Sequence, residues 1–437
     1  MSRKKIRTQT ELARRMGITK NQLSVILSEK YDPIKSSTMQ LCDALAVPLE
    51  DILIVKDEKQ DDYCAQLELD FGGLAKKDAY IDTSQVRPNR SFKVLELFAG
   101  AGGLALGLSR AGFNAVGLVE IDHDCCETLR YNRPNWNVIE QDIVKVAEQG
   151  IRTFLREEDW DIDLLSGGYP CQAFSYSGKK LGLNDVRGTM FYYFADILQD
   201  LKPKMFLVEN VRGLLSHDNG RTLQTMVNVF TEVGYKVTYK VLNAVDYNVA
   251  QKRERLVIVG VRDDYEGITF GYPKPSENRL VLRDVLQDVP ESEGIEYSEK
   301  KKRVLELVPP GGCWRDLPEE IAKEYMGKSY YSSGGRTGIA RRIAWDEPCL
   351  TLTCSPAQKQ TERCHPEETR PFTVREYARI QSFPDDWHFC GSVYSKYRQI
   401  GNAVPVNFAE FIGLAIVNCL NQMTNLEATK TIEVVAV

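Results

Sequence analysis

The chain has 437 residues, of which 43% are apolar and 27% charged, with a formal net charge of −5. This length predicts two or three domains, and the composition is typical of a soluble protein. No apolar run reaches the ~20 residues of a membrane helix, and no hydrophobic stretch follows the basic N-terminus. Eleven cysteines, an odd number without regular spacing, favour reduced thiols and a cytoplasmic location. We therefore expect neither a membrane span nor a secretory signal.

The first segment, residues 1–55, has the pattern of a small all-helical domain. TQTELARRMG and ITKNQLSVILSEK each place apolar residues on one helical face, with Gly17 between them. The segment resembles the helix-turn-helix domains of phage repressors, and its excess of basic residues favours phosphate contacts. The second helix of the motif would begin with the residues expected to contact DNA bases: Lys20, Asn21, Gln22 and Ser24. The alternative is a helical docking module without a DNA role.

The rest of the chain changes character twice. Residues 56–91 are acidic and aperiodic, which predicts a linker. From Phe92, six apolar strand candidates alternate with helical stretches, which predicts a parallel sheet with helices on both faces. They are FKVLELF, AVGLVEID, WNVIEQDI, IDLLSGG, KMFLVEN and RLVIVGV. The alternation ends near residue 272, and PVNFAEFIGLAIVNCLNQM predicts a long amphipathic C-terminal helix.

The first predicted strand runs into a glycine-rich turn, in LELFAGAGGLALGL. Gly100, Gly102 and Gly103 would let backbone amides approach a ligand closely. The next two strands end in acids, Glu120 and Asp142. Glu120, with Asp122 as the alternative, suits a ribose hydroxyl, and Asp142 could accept from an adenine amino group with Ile143 packed on the ring. A lone acid of this kind is more often a helix cap, but three strand ends in succession favour a nucleoside pocket.

A second group of residues suggests chemistry on a base. Cys171 follows a predicted strand in GGYPCQAFS, either as a positioned nucleophile or as a small buried hydrophobe. Glu209 ends the apolar strand MFLVEN and could donate a proton there. In QKRER, the period-two residues Gln251, Arg253 and Arg255 would share one face of a strand, where arginines suit a phosphate or a base carbonyl. The alternative for QKRER is a solvated strand edge.

These stretches together identify a family. FAGAGG, VEID, QDI, GYPCQAFS, ENV, QKRER, TVREYARIQSFP and GNAVPVN occur in the order of the motifs of DNA cytosine-5 methyltransferases. The resemblance covers about residues 92–423. It implies an α/β fold: a Rossmann-like, S-adenosylmethionine-dependent methyltransferase domain with an irregular target-recognition domain. The predicted organisation is a helix-turn-helix domain at 1–55, a linker at 56–91, a catalytic domain at 92–272, a target-recognition domain at 273–389, a second catalytic segment at 390–423 and a tail at 424–437.

The resemblance also implies roles for single residues. Cys171 resembles the nucleophile, Glu209 the acid that engages N3 of cytosine, and Arg253 and Arg255 the clamps around the flipped base. Ser175 resembles a phosphate contact, and Gln251 is expected to contact DNA. The cofactor contacts implied are Phe98, Gly100, Gly102, Glu120, Ile121, Asp142, Ile143, Met190 and Asn402. Ile121 stands where many members carry an aromatic residue that stacks on adenine.

Two further stretches remain open. The glycine-rich, basic stretch YYSSGGRTGIARR offers Arg336, Arg341 and Arg342 as groove or phosphate contacts, against the alternative of a solvated loop. Cys349, Cys354, Cys364 and His365 are candidate zinc ligands, but their spacing lacks a CxxC pair, and we expect no metal.

The prediction is an enzyme that methylates C5 of cytosine in double-stranded DNA, in a restriction–modification setting with a cognate nuclease. The N-terminal domain would bind an operator. The rival functions are methylation of RNA on the same scaffold and a regulator with an inactive methyltransferase domain. An amino-methyltransferase is disfavoured because its Asn/Asp-Pro-Pro-aromatic loop is absent from the sequence.

Overall fold

The computed structural model describes residues 80–170, 189–331 and 337–435, with side chains through Thr429. The chain divides into two compact units, Met1–Phe71 and Gly72–Val437, and every described residue belongs to the second. The predicted helix-turn-helix and its four candidate base contacts therefore lie outside the described residues.

A seven-stranded sheet forms the centre of the second unit. The strands in chain order are β1 (Tyr80–Ile81), β2 (Phe92–Leu97), β3 (Phe113–Glu120), β4 (Val138–Glu140), β5 (Leu164–Gly167), β6 (Met205–Val211), β7 (Tyr235–Asn243), β8 (Gln251–Lys252), β9 (Glu254–Arg262), β10 (Tyr272–Pro273) and β11 (Cys349–Leu350). The sheet order is β4-β3-β2-β5-β6-β9-β7. Five of the six predicted strands pair in parallel, as the alternating pattern predicts.

The prediction of an all-parallel sheet is wrong at one edge. β9 runs antiparallel to both β6 and β7, and β7 was missed as a strand. YKVTYKVLN alternates apolar and polar residues, which is the signal of a half-buried edge strand rather than of the apolar runs sought in the sequence. Because β9 enters from the opposite direction, its first residues lie at the edge where the parallel strands end.

Helices cover both faces of the sheet, as predicted. Those of the catalytic domain are α1 (Gly103–Arg110), α2 (His123–Asn132), α3 (Ile143–Gln149), α4 (Met190–Leu201) and α5 (Arg221–Glu232). They are followed by α6 (Leu282–Val285), α7 (Glu299–Leu305), α8 (Glu319–Met326), α9 (Val374–Ile380), α10 (Val393–Asn402) and α11 (Val406–Val435). α3, α4 and α5 pack on one face of the sheet, and α1 and α11 pack on the other.

The helices α1 and α11 cross at very short range. A Cβ on Gly107 would lie 2.5 Å from the Val406 carbonyl oxygen and 2.4 Å from Ala409 Cβ. A Cβ on Gly413 would lie 2.8 Å from Ala111 Cβ. Each glycine therefore provides the space for the other helix, and α11 completes the core beside the first catalytic strands.

The irregular domain has a core of its own only in part. Buried side chains between Tyr297 and Cys364 form a separate cluster that includes α7 and α8. α9 and α10 instead pack against α1 and β3, in a cluster containing Leu106, Leu118 and Tyr377. By packing, α9 and α10 therefore join the catalytic domain, as Leu282, Ile343 and Leu352 also do, so this core does not mark a boundary at residue 389.

Two other predicted boundaries differ from the structure. Within the predicted linker, β1 pairs in parallel with β10, and Arg90 forms an ion pair with the buried Asp163, so residues 80–91 pack on the catalytic domain. The predicted tail from 424 continues α11 as helix to Val435. By length and composition the apolar segment Val393–Thr429 could cross a membrane, but 72% of its most apolar window is buried inside the protein.

Candidate active site

The carboxyl ends of β2 to β6 and the start of β9 meet at one edge of the sheet. This arrangement follows from the topology, because parallel strands end on the same side and β9 enters from that side. It brings together the glycine turn after β2, the acid ending β3, and Glu209 and Arg255. Ligands of open α/β sheets bind at this edge, outside the carboxyl ends of the strands.

The glycine turn has the backbone conformation that the sequence predicts. Gly100 and Gly102 have φ values of +54° and +85°, a region that favours glycine. No atom lies within 4 Å of a Cβ built on Gly100, so that side of the turn is open. Gly102 is enclosed, because a Cβ there would lie 2.6 Å from Leu129 Cδ2. Phe98, a non-glycine residue, also has a positive φ of 59°. Such backbone is strained and is common at functional sites.

Glu120 closes the turn from the neighbouring strand. Its Oε2 accepts from the Gly100 amide at 2.7 Å, and its Oε1 accepts from the amides of Ile121 and Asp122 at 2.9 and 2.8 Å. Ile121 follows with 66% of its surface exposed, which is high for a large apolar side chain. The carboxylate and the exposed apolar surface stand side by side at the strand end, an arrangement that suits a ribose beside a base.

The next strand end has a simpler local role. Asp142 is the N-cap of α3, where its Oδ1 accepts from the Val144 amide at 2.9 Å. Ile143 is buried in the core between α3 and the sheet. Asp142 thus caps a helix, as a lone acid at a strand end most often does, and Ile143 is a core residue. Asp142 also stays partly accessible. Met190, also partly accessible, begins α4.

Glu96 in β2 lies beneath this turn and was not singled out from the sequence. It is 1% exposed, and its Oε2 has no hydrogen-bond partner within the part of the chain described above. Burial, and secondly the charge of Glu120, raise its pKa well above the usual range.

The chain approaches Cys171 through Gly168–Pro170. Asn210 Nδ2 donates to the Tyr169 carbonyl oxygen at 3.1 Å, and the Tyr169 ring packs among Phe98, Phe191 and Phe194. The segment before the predicted nucleophile is therefore fixed to β6 and to the glycine turn. Cys171 and Ser175 themselves lie outside the described residues.

Glu209 and Arg255 form an ion pair at this edge. Arg255 Nε lies 2.7 Å from Glu209 Oε1, with side-chain exposures of 12% and 13%. Glu209 was expected to have apolar surroundings, but its carboxylate has a cationic partner. A Cβ on Gly168 would lie 3.4 Å from Glu209 Oε2, so the carboxylate borders the segment that leads to Cys171.

Gln251 and Arg253 are buried, whereas Arg255 stays partly accessible and lines an open pocket. Arg253 is 2% exposed, and it donates to the carbonyl oxygens of Leu352, Gly401 and Ala403 at 3.0, 2.8 and 3.1 Å. Burial, and then the charge of Arg255, lower its pKa. These carbonyl oxygens occupy both Nη atoms of Arg253 in this structure, and its expected role as a clamp around a flipped base stays a prediction.

Gln251 is likewise buried, and its expected contact with DNA stays a prediction. Its Nε2 donates to Gln381 Oε1 at 2.8 Å, and its Oε1 accepts from the Leu352 amide at 2.9 Å. Together Gln251 and Arg253 join the recognition segment at Leu352 to the loop after α10. Asn402, the last residue of α10 and an expected cofactor contact, is exposed and accepts from Cys354 Sγ at 2.9 Å.

Two predicted DNA contacts in the recognition domain are structural instead. Arg342 is 4% exposed and donates to the carbonyl oxygens of Leu305, Val308 and His365. Arg341 forms a bidentate pair with Glu347, at 2.7 and 2.6 Å. The basic stretch thus fixes the fold of its own domain, and Arg336 lies outside the described residues.

The four candidate zinc ligands are used separately. Cys349 is buried in β11, and Cys364 Sγ contacts the Glu368 carbonyl oxygen at 3.5 Å. His365 Nδ1 accepts from the Glu367 and Glu368 amides at 3.3 and 3.1 Å, while Cys354 contacts Asn402. Each residue has its own local contact, and these contacts do not converge on a common point.

An open pocket continues the edge beyond Arg255. Its volume is about 430 Å³, and its lining residues are Arg212, Asn243, Lys252, Glu254, Arg255 and Thr351. Arg212 and Lys252 were not predicted as functional residues, although Arg212 directly follows ENV and Lys252 lies within QKRER. The signal available in the sequence was the position of these two cations at the motifs.

Comparison with known proteins decides the family. The profile of the C-5 cytosine-specific DNA methylases matches residues 92–418. The chain belongs to this family. The DNA methylase region accordingly contains the motifs and the sheet edge described above, and the protein is a DNA cytosine-5 methyltransferase. A second profile, that of the Cro/C1-type helix-turn-helix DNA-binding domain, matches residues 1–58 and confirms the N-terminal prediction.

Relatives of this DNA methylase are Type II methyltransferases. M.Sau96I of Staphylococcus aureus is 55% identical over 426 residues, 97% of each chain. M.Eco47II of Escherichia coli is 56% identical over 344 residues, 77% of this chain and 81% of that protein. Among solved structures, a prophage-encoded Escherichia coli protein described as a DNA modification methyltransferase superposes with a TM-score of 0.56. It is 25% identical and covers 76% of this chain and all of its own.

Proposed function

We propose that this enzyme transfers a methyl group from S-adenosylmethionine to C5 of a flipped-out cytosine, through a covalent adduct with Cys171. The proposal places the enzyme in the cytoplasm, in a type II restriction–modification system with a cognate endonuclease. The observation that supports it best is the Glu209–Arg255 ion pair beside the segment that leads directly to Cys171. The base must leave the duplex to reach a pocket at this depth.

The strand ends fit S-adenosylmethionine. The open side of Gly100 leaves room for a ligand against the turn, and Glu120 offers a carboxylate to ribose hydroxyls. Exposed Ile121 would cover one side of the adenine, and Asp142 would accept a hydrogen bond from the adenine amino group. Asn402 would contact the cofactor from the end of α10. When bound, S-adenosylmethionine supplies the electrophilic methyl group that C5 receives.

The chain's own residues would make C5 reactive. The Cys171 thiolate adds to C6 while Glu209 donates a proton to N3, so no net charge accumulates on the ring. Glu209 enters this step as the carboxylic acid, and Arg255, whose Nε lies 2.7 Å from Oε1, holds the carboxyl group in place and stabilises the carboxylate that the transfer leaves. After methylation the C5 proton leaves to water, Glu209 takes back the N3 proton, and the C6–S bond breaks to restore the thiolate. We propose that Arg253 positions this site through Leu352 and Gly401.

Cys171→Ala tests the mechanism. We expect loss of methyl transfer, unchanged binding of S-adenosylmethionine and no covalent complex with DNA containing 5-fluorocytosine, because the fluorinated adduct needs the thiol and cannot release a C5 proton. Denaturing electrophoresis measures the complex, and calorimetry measures cofactor binding. Cys390→Ala is the matched control, which should still form the complex. A covalent complex with Cys171→Ala would contradict the proposal.

We further propose that the N-terminal domain binds an operator near the gene of this protein and limits its expression. The match of residues 1–58 to Cro/C1-type domains supports DNA binding, and catalysis on DNA does not require a second recognition domain. Lys20, Asn21, Gln22 and Ser24 are the residues proposed to read the operator. Such binding should weaken steeply with salt, because phosphate contacts release counterions.

A further inference from the structure

The pocket beyond Arg255 is strongly cationic on its walls. Of its lining side chains, Arg212, Lys252 and Arg255 carry positive charge and Glu254 alone carries negative charge. Arg255 is already committed to Glu209 at 2.7 Å. The accessible cations of the pocket are therefore Arg212, whose side chain is 58% exposed, and the exposed Lys252.

Arg212 and Glu254 form an ion pair at the mouth of this pocket. Arg212 Nη1 lies 2.7 Å from Glu254 Oε2, and the Glu254 side chain is 34% exposed. Arg212 follows β6 directly and Glu254 begins β9, and these strands pair antiparallel with Val211 opposite Arg255. The register of the sheet thus holds the two side chains together at the same edge as the proposed base site.

We propose that this pocket binds a backbone phosphate of the DNA, and that Arg212 exchanges its contact with Glu254 for that phosphate. This inference rests on the proposed function, which places the target cytosine beside Arg255. A guanidinium binds a phosphate by two parallel hydrogen bonds, and Lys252 adds a second cation to the pocket lining. The pocket volume of about 430 Å³ and its open mouth leave room for a phosphodiester.

The exchange costs little because the pair is exposed. Solvent-exposed Arg–Glu pairs contribute little to stability, whereas the Glu209–Arg255 pair beside it is largely shielded. With a phosphate bound, Glu254 becomes a like charge next to the ligand. Glu254 therefore weakens DNA binding at this position. In the free enzyme it neutralises Arg212, and in the complex it competes with the phosphate for the Arg212 guanidinium.

Salt-dependent DNA binding of the full-length protein tests this exchange. A labelled duplex containing the methylated site is titrated from 50 to 300 mM KCl, on the order of the range over which phosphate contacts change affinity strongly. For Arg212→Gln we expect the negative slope of log K against log[salt] to become shallower by about 0.9, the value for one phosphate. We also expect roughly tenfold weaker binding at low salt. For Glu254→Gln we expect tighter binding than in the wild type.

The control is Arg156→Gln at the opposite edge of the sheet. Arg156 is also exposed and pairs with Glu158 at 2.9 Å and with Asp159 at 2.8 Å, so it matches Arg212 in charge and in exposure but not in place. Its slope should equal that of the wild type. An unchanged slope for Arg212→Gln would overturn the proposal. So would an equal loss of DNA affinity in Arg212→Gln and Glu254→Gln, since the arginine would then act only through its own ion pair.

These outcomes separate this inference from the mechanism. If the covalent chemistry is wrong, 5-fluorocytosine trapping fails in the wild type while the salt slopes still report on Arg212. If only the phosphate site is wrong, trapping by the wild type remains and the slopes do not move. Binding of S-adenosylmethionine should be the same in all three variants, because Arg212, Glu254 and Arg156 lie outside the proposed cofactor contacts.

Discussion

At the scale of single residues, the same side chain often organises its loop and faces a ligand. Glu120 accepts three backbone amides, which fixes the turn after β2, and about one of its four lone-pair sites, on Oε2, is left for a ligand. Removing the carboxylate would therefore disturb both the turn and the proposed ribose contact. A substitution that keeps an acceptor separates the two effects.

Glu120→Ala should weaken binding of S-adenosylmethionine about 10- to 100-fold, the equivalent of a lost charged hydrogen bond. Glu120→Gln should lose less, because one amide oxygen still accepts from the turn. Calorimetry measures both, and DNA affinity should change less than cofactor affinity.

Glu140→Ala is the control, since Glu140 lies directly opposite Glu120 on β4 and its carboxylate pairs with His123 and Arg130. An unchanged cofactor dissociation constant in Glu120→Ala would remove Glu120 from the proposed site.

The sequence predicted residues at strand ends better than residues in loops. An apolar run that ends in an acid defines the position of Glu120 or Glu209 within a residue or two, because the strand direction fixes the edge. The arginines of the irregular domain carried no such signal. Arg342 and Arg253 bind backbone carbonyl groups that are distant in sequence, and a charged residue alone does not reveal whether its partner is a phosphate or the chain itself.

At the scale of elements, the crossing of α1 and α11 depends on glycine. At Gly107 and Gly413, atoms of the partner helix occupy the space that a Cβ would need. Because glycine has no Cβ, the two helices can approach closely. The pattern of apolar residues predicted both helices, but it could not predict that they touch. β7 was missed for the opposite reason, since its alternating pattern is a weaker signal than a continuous apolar strand.

Gly107→Ala should destabilise the protein by about 1–3 kcal/mol, the usual cost of overpacking a tight core. The reason is that the new methyl group meets the Val406 carbonyl and the Glu410 amide, which are backbone atoms that cannot turn aside. Denaturant unfolding measures the loss.

Gly213→Ala is the matched control, because nothing lies within 4 Å of its Cβ position, and it should change stability by less than about 0.5 kcal/mol. Equal stability of Gly107→Ala and the wild type would show that α11 can shift without cost.

At the scale of the whole molecule, one chain combines two matches to DNA-binding families. The Cro/C1-type match covers residues 1–58 and the DNA methylase match covers 92–418. The overall net charge of −5 gives no sign of this, because the cations that matter are local, such as Arg212 and Lys252. The sequence motifs identified both domains, whereas the pocket needed the folded sheet.

Deleting residues 1–55 should leave site-specific methylation measurable and raise expression from the native promoter, because the proposed operator contacts lie in that segment. A promoter fusion and bisulfite sequencing report the two effects. Full-length Cys171→Ala is the control, and it should repress like the wild type while methylating nothing. If promoter output does not respond to the deletion, the regulatory proposal is wrong.

The crossing of α1 and α11 also has a consequence for synthesis. Arg110 on α1 and its partner Asn407 on α11 are 297 residues apart in the chain. At translation rates of about 5–20 residues per second, the nascent sheet waits roughly 15–60 seconds for the helix that covers it. During that interval the apolar face is open to chaperones, and a chain that terminates early leaves the core incomplete. A ribosome must therefore translate almost the whole message before the cell gains any protection of its DNA.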